Sequence, residues 1–206
     1  YNIYSLNLRG EDMRELKGIE ERILDRALYL FGKNGTTNVP IRTIVKEAGV
    51  NVSAINYYFG SKDRMIKYIK EFYLENITQA YAPLYDENLS DMDKLVKCAN
   101  EIIEYCLRYP GVLVMNEEAS AKIDKDEIDI QIIEKSKEEN KNLDFALRKV
   151  LNCSDEEFIY KRIIFISSIT YPATNEDNQY DKEVISTEEK RINYVTNLIR
   201  LLKENK

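Results

Sequence analysis

Between Pro40 and Phe59 the chain reads PIRTIVKEAGVNVSAINYYF, and its polar residues are spaced for contact with a charged, edge-bearing surface. Val52, Ser53 and Asn56 fall on the outer side of a short helix, near its start. An asparagine there can pair with an adenine edge in a major groove. Tyr57 and Tyr58 lie near the end of that helix, where a hydroxyl can reach phosphate. Arg42, Lys46 and Lys62 flank the unit as phosphate partners. Cations for phosphate and an amide for base edges together make chemistry suited to double-stranded DNA. Two plainer readings stand beside it. Tyr57, Tyr58 and Phe59 can be core aromatics closing a small domain, Phe59 above all. Arg42 and Lys46 can be solvated surface charges.

Other chemistries find little support. The chain has no histidine, which removes the commonest general base, the commonest zinc ligand and every Ser-His or Cys-His arrangement. No glycine-rich phosphate loop occurs. Carboxylates are plentiful but scatter among lysines at helical spacing, as on a solvated face. Cys98, Cys106 and Cys153 are odd in number. Cys98 and Cys106 stand about 12 Å apart along one helix, too far for a bridge. They read as small core residues in a reducing compartment. The expectation is a protein that is not an enzyme and takes no cofactor or metal.

The elements that must position the polar residues are helical throughout. Glycine and proline are rare, at seven and four, and apolar residues recur at helical spacing, so the fold class is all-α. A first helix is expected over Arg14 to Lys33, its stripe being Ile19, Ile23, Leu24, Ala27, Leu30 and Phe31, with Gly35 past its end. A second starts at Pro40, whose fixed φ suits a first turn, and stops at Gly49. Asn51 is placed to cap a third, over Val52 to Tyr58. Ser61 caps a fourth. Longer helices follow over Ser90 to Tyr109, after Gly111, over Asp126 to Leu151, and from Asp155 to a point before Pro172. Residues 173–185 read as a polar loop. Ser186 opens the last helix, with Glu189 completing a capping box.

Charge is divided unevenly. The whole chain carries −6, with 30 basic and 36 acidic residues. Residues 1–73 hold 12 basic and 9 acidic residues, a balance of +3, which leaves −9 for the remainder. Lys33 to Lys70 alone reaches +5, and this local field, not the net charge, governs contact with phosphate. No apolar run approaches the roughly 20 residues of a membrane span. The start, YNIYSLNLRG, lacks the pattern of a signal peptide. A cytoplasmic location, away from membranes, is expected.

The segments IEERILDRALYLFGKNG and VPIRTIVKEAGVNVSAINYYFGSKDRMI resemble the N-terminal domain of the TetR family of bacterial transcription regulators. The resemblance covers residues 17–70 and rests on several elements in order: ILDRALYLF, the glycine of KNG, IRTIVKEAGV, INYYF and GSKD. It implies a three-helix head over 14–60 that binds DNA by a helix-turn-helix. It implies a body over 61–206 for effector binding and dimerisation, joined by a helix over 61–84. Arg42 matches a family arginine that contacts phosphate or base. Asn51 to Asn56 match the start of the recognition helix. Tyr58 matches an aromatic or histidine that touches phosphate, and Lys62 a lysine that pairs with it. Two positions depart. Pro40 stands where members often carry Ser or Thr, and Val52 where many carry a basic residue. Val52 can instead touch a thymine methyl.

No motif resemblance covers residues 75–206. The family implies a homodimer through the last two long helices and an effector pocket. Ile159, Ile163 and Ile166, with Tyr194, Leu198 and Leu201, are the candidate dimer residues. Their stripes can equally face their own core. Tyr81, Ile102, Tyr105, Cys106 and Met115 are the candidate pocket lining, though such residues also make plain core. The reading that results is a repressor released from a pseudo-palindromic operator by an unidentified small molecule. An activator on the same fold, or a helical interaction protein that has lost DNA binding, are the alternatives.

Overall fold

The computed structural model describes residues 18–174 and 183–204, the side chains of 172–174 excepted. Its α-helices are α1 (Ile19–Asn34), α2 (Ile41–Glu47), α3 (Ser53–Tyr58), α4 (Lys62–Tyr81), α5 (Asp91–Arg108), α6 (Gly111–Ala121), α7 (Glu127–Leu151), α8 (Asp155–Thr174) and α9 (Glu188–Lys203). A single 3₁₀ turn, Ala82–Tyr85, follows α4. Among the described residues there is no strand, and no helix is long and apolar enough to cross a membrane.

Local signals set most boundaries. Ser61, Ser90, Asp126 and Thr187 each accept a hydrogen bond from the backbone N–H three residues on, satisfying one of the free donors of a first turn. Gly35 ends α1 in the left-handed region, at φ 63°, and its N–H bonds back to Gly32. Pro40 caps α2 from just outside it, its ψ of 137° keeping it extended. The helix expected from Arg14 begins instead at Ile19, Gly18 standing outside it at φ 74°; residues 14–17 lie outside the described part.

Three C-terminal expectations are corrected. Thr187, not Ser186, caps the last helix, because the Ser186 hydroxyl donates to the Glu183 carbonyl while Thr187 Oγ1 accepts from Lys190 N–H. A reciprocal box forms instead at α8, where Ser154 and Glu157 exchange bonds with each other's N–H. Residues 173–185 are not all loop: 173–174 continue α8, 183–184 are helical and Ile185 is buried. Residues 175–182 lie outside the described part. Finally, α8 passes through Pro172. A proline leaves the carbonyl four residues before it without its helical donor. Here that carbonyl belongs to Ser168, and it accepts the Tyr194 hydroxyl at 2.8 Å.

Two apolar clusters fill the interior. The first runs from α1 (Leu24, Phe31), α2 (Ile44), α3 (Ile55) and α4 (Met65, Ile69) onward into α6 (Met115) and α7 (Ile132). The second joins α5 (Leu95, Ile103), α7 (Leu147), α8 (Phe165, Ile169) and α9 (Val195, Ile199). Helix α1 lies directly on the start of α6. A Cβ on Gly111 would stand 2.4 Å from the Leu28 carbonyl oxygen, and one on Gly32 would stand 2.5 Å from Pro110 Cβ. Only glycine permits that approach.

Two buried charge groups lock the body. Asp129 on α7 is fully buried. It pairs with Lys70 of α4 and with Lys122 at 2.6 Å. Burial works against its charge, but the two lysines outweigh it and hold the carboxyl below its usual range. Arg191 of α9 is buried too, and bonds Asn100 and Glu104 of α5 at 2.9 and 2.7 Å.

Three stability outcomes follow. Gly111→Ala forces α1 and α6 apart and lowers unfolding free energy by about 1–3 kcal/mol. Asp129→Ala leaves the buried Lys70 with Asp126, 3.4 Å away, as its partner and costs about 3 kcal/mol, whereas Lys122→Ala, half-exposed, costs under ~1 kcal/mol. Chemical denaturation at fixed protein concentration checks all three.

Candidate nucleic-acid interface

Helix α3 has six residues, too few to persist without packing. Its inner residue, Ile55, is buried, and Phe59 beneath its end is buried against the ring of Tyr68. This settles the reading of Phe59 as core. The turn before α3 is fixed by Gly49 at φ 65° and by Val50 N–H donating to the Val45 carbonyl at 3.0 Å. Asn51 Oδ1 accepts from Ser53 N–H at 3.0 Å and from the Ser53 hydroxyl at 3.1 Å. The cap position of α3 is Val52, which makes no side-chain bond; the predicted Asn51 instead holds the turn just before it, and its bond also commits the Ser53 proton.

What remains faces outward. Val52 is 50% exposed and Tyr57 83%; Ser53 and Asn56 are exposed beside them. Tyr57 and Tyr58 meet edge to face, with ring centroids 4.9 Å apart. Tyr58 is half-buried, so one ring steadies the other while the outer hydroxyl stays in solvent. Arg42 and Lys46 project from α2 and are exposed, with no ion pair among the described residues. Lys62, half-buried at the start of α4, points its Nζ to Asn38 Oδ1 at 3.5 Å. Of the predicted residues, Asn51, Ser53 and Tyr57 share one shallow depression, while Arg42, Lys46, Val52 and Asn56 are exposed and Tyr58 and Lys62 half-buried.

Sequence reasoning missed Arg22. It stands on the exposed side of α1 and shares a shallow depression with Asn51, Ser53 and Tyr57. Its place opposite the buried Ile23–Leu24 pair was the signal that could have found it. Sequence reasoning also missed Asn38 and the bonds that hold its turn. Glu118 of α6 accepts from the Thr36 hydroxyl and Thr37 N–H at 2.9 Å, and from the Thr37 hydroxyl at 2.5 Å. Partial burial works against this carboxylate, but the Thr37 and Thr36 bonds and nearby Lys122 outweigh it and keep it below its usual range.

The pocket candidates sit where the two clusters meet. Ile102 and Cys106 belong to the second and Met115 to the first, with Tyr81 and Tyr105 packed against the first. Burial pushes the Tyr105 and Tyr81 hydroxyls up and the Cys106 thiol to about 12, so all three remain protonated. The Tyr105 hydroxyl is buried without a hydrogen-bond partner. A cavity of about 830 Å³ lies elsewhere, between α4, α6 and the start of α7. Of the five candidates only Met115 reaches it; Lys70, Glu118, Lys122 and Asp129 line it. Among the described residues no group of His, Cys, Asp or Glu is arranged to hold a metal.

Residues 23–69 match the model for bacterial regulatory proteins of the tetR family. A probable HTH-type transcriptional regulator of Bacillus subtilis (strain 168), YttP, is 36% identical over 55 residues. That stretch spans 26% of this chain and only 27% of the relative. Over the whole fold, a TetR-like transcriptional regulator from Rhodococcus sp. RHA1 superposes with a TM-score of 0.56 at 14% identity, covering 90% of this chain and 97% of that one. A TetR-family regulator from Streptomyces coelicolor gives 0.56 at 17%, covering 93% of each. At such identities the two structures speak for the fold alone. Head and fold together define a helix-turn-helix domain joined to a helical body. Residues 23–69 thus match the DNA-binding domain of the tetR family of bacterial regulatory proteins, and the whole chain shares the fold of the two solved regulators.

Removing the Asn51 side-chain bond tests the α3 geometry. Asn51→Ala should destabilise the α3 turn by about 1 kcal/mol, and Asn51→Asp should retain it. Faster hydrogen exchange at Ser53 and Ala54 amides in the alanine variant alone is the expected result.

Proposed function

We propose that the chain is a repressor that binds a pseudo-palindromic operator as a homodimer and is released by a small molecule. The observation that carries this is the exposed row Val52, Ser53, Asn56 and Tyr57 on a helix whose other side is closed by Ile55 and Phe59. On this reading Arg42, Lys46 and Lys62 meet phosphates, with Arg22 beside them. Asn56 and Val52 read base edges. Asn51 acts by shaping the turn, and Tyr57 or Tyr58 offers a hydroxyl to the backbone.

The dimer reading is supported by the outer side of α8. Ile159, Tyr160, Ile163 and Ile164 are all exposed there, with Leu201 on α9; Ile166, Tyr194 and Leu198 are half-buried and pack against the second core cluster of the same chain. Apolar side chains in a contiguous exposed patch mark an interface, and one patch used twice gives an isologous pair. Two heads about 34–36 Å apart would then address successive turns of one DNA face. The effector is a molecule that binds the body better in the conformation with the wrong spacing. Tyr81, Ile102, Tyr105, Cys106 and Met115 are its proposed surroundings, the unpartnered Tyr105 hydroxyl being the group it would satisfy.

Binding to duplexes from the promoter region of its own gene is the test, read as a function of salt. Arg42→Ala should weaken binding to every duplex and lower the salt slope by about 0.9 for each phosphate it no longer neutralises. Asn56→Ala should instead flatten discrimination between sequences at nearly constant slope. Ile163→Asp should yield a folded monomer by sedimentation, with operator affinity falling at least tenfold. A selective shift from a protein that sediments as a monomer would overturn the dimer reading.

A further inference from the structure

We propose that Glu118, on the body helix α6, is a positioning residue for DNA binding: it sets the phosphate-facing residues Arg42 and Lys62 through the turn between α1 and α2. The proposal rests on the DNA-binding reading above and assigns a role to a residue that touches no DNA.

A chain of bonds links the two ends. One carboxylate takes three hydrogen bonds from two consecutive residues, Thr36 and Thr37, across 82 and 81 positions of sequence. A backbone N–H and two hydroxyls converging on one anion fix both position and orientation of that dipeptide. The turn is also held by Thr36 N–H, which donates to the Phe31 carbonyl at 3.2 Å, and by Val39, buried in the first cluster. Thr36 Oγ1 accepts from Asn38 N–H at 3.1 Å, and Val39 N–H reaches the Thr37 carbonyl at 2.8 Å. The next residue, Pro40, caps α2 and so aims Arg42. Asn38 holds the other end, its Oδ1 taking the Lys62 ammonium. A shift at Thr36–Thr37 therefore reaches two cations on two helices. Helix α6 is itself a firm mount. Its start is clamped on α1 by the glycine contacts at Gly32 and Gly111, and Lys122, just past its end, is tied to Asp129. Through Glu118 a polar group of the body thus fixes the loop that feeds the helix-turn-helix.

The experiment measures affinity for a duplex from its own promoter region, across a salt series. The proteins are the wild type, Glu118→Ala, Glu118→Gln, Thr37→Val, Lys62→Ala and the Glu118→Ala/Lys62→Ala pair. Thermal melts of each report the folded fraction. Expected for Glu118→Ala is a several-fold weaker affinity on all duplexes, with a salt slope lower by about 0.9 for each phosphate left without its cation. Thr37→Val should reproduce this from the head side. The effect should shrink in the Lys62→Ala background, since part of it acts through that lysine. Glu118→Gln keeps an acceptor and should recover most of the slope. A packing role alone would lower the melting temperature and leave the slope of the folded protein unchanged. Wild-type salt slope in folded Glu118→Ala or Thr37→Val overturns this proposal alone. A wild type that binds no duplex at any salt overturns the DNA-binding reading, and this proposal with it.

Discussion

The contact on which the architecture depends is the crossing of α1 over the first turn of α6, where neither helix has room for a Cβ. The head has little core to call its own. Leu24, Phe31, Ile44 and Ile55 share one apolar cluster with Met115 and Ile132 of the body. A helix as short as α3 gains its order by leaning on that shared cluster. Closeness between α1 and α6 is thus what lets a few buried residues hold the exposed side of α3 still.

Polar groups then register what apolar packing only brings together. The Lys70–Asp129–Lys122 group joins α4, the α6–α7 connection and α7 at one buried carboxylate. Arg191 does the same for α9 against α5. Such pairs cost desolvation and return modest stability, yet each admits one arrangement of its helices. Around them other hydroxyls are paired, the buried Tyr73 with Ser136 and the exposed Tyr85 with the buried Glu139, so that the bare Tyr105 hydroxyl stands out.

Much of the head was readable in one dimension because its signals are local. Gly49 and Asn51 announce the turn, Ser61 announces α4, and the apolar spacing of Ile44, Val45 and Ile55 names the inner side. The outward set from Arg42 to Lys62 follows from the remainder of that spacing. Signals that need the third dimension were not readable. Glu118 is one acid among many until it meets Thr36 and Thr37. Arg22 looks like any surface cation of α1 until α3 is laid beside it. Pro172 reads as a stop, because the hydroxyl that relieves it arrives from Tyr194, a helix away. The cavity beside α6 is likewise a product of how helices diverge, which periodicity does not encode.

Charge separation along the molecule has a further consequence. The head end carries the surplus of cations and the rest of the chain the surplus of anions, so the protein is a dipole. In the field of a polyanion such a body experiences a torque before it experiences contact. Approach with the wrong end forward is repelled, and encounters arrive already turned. Ionic strength therefore acts on capture in two ways, through the number of cations displaced and through the fraction of collisions that arrive head first.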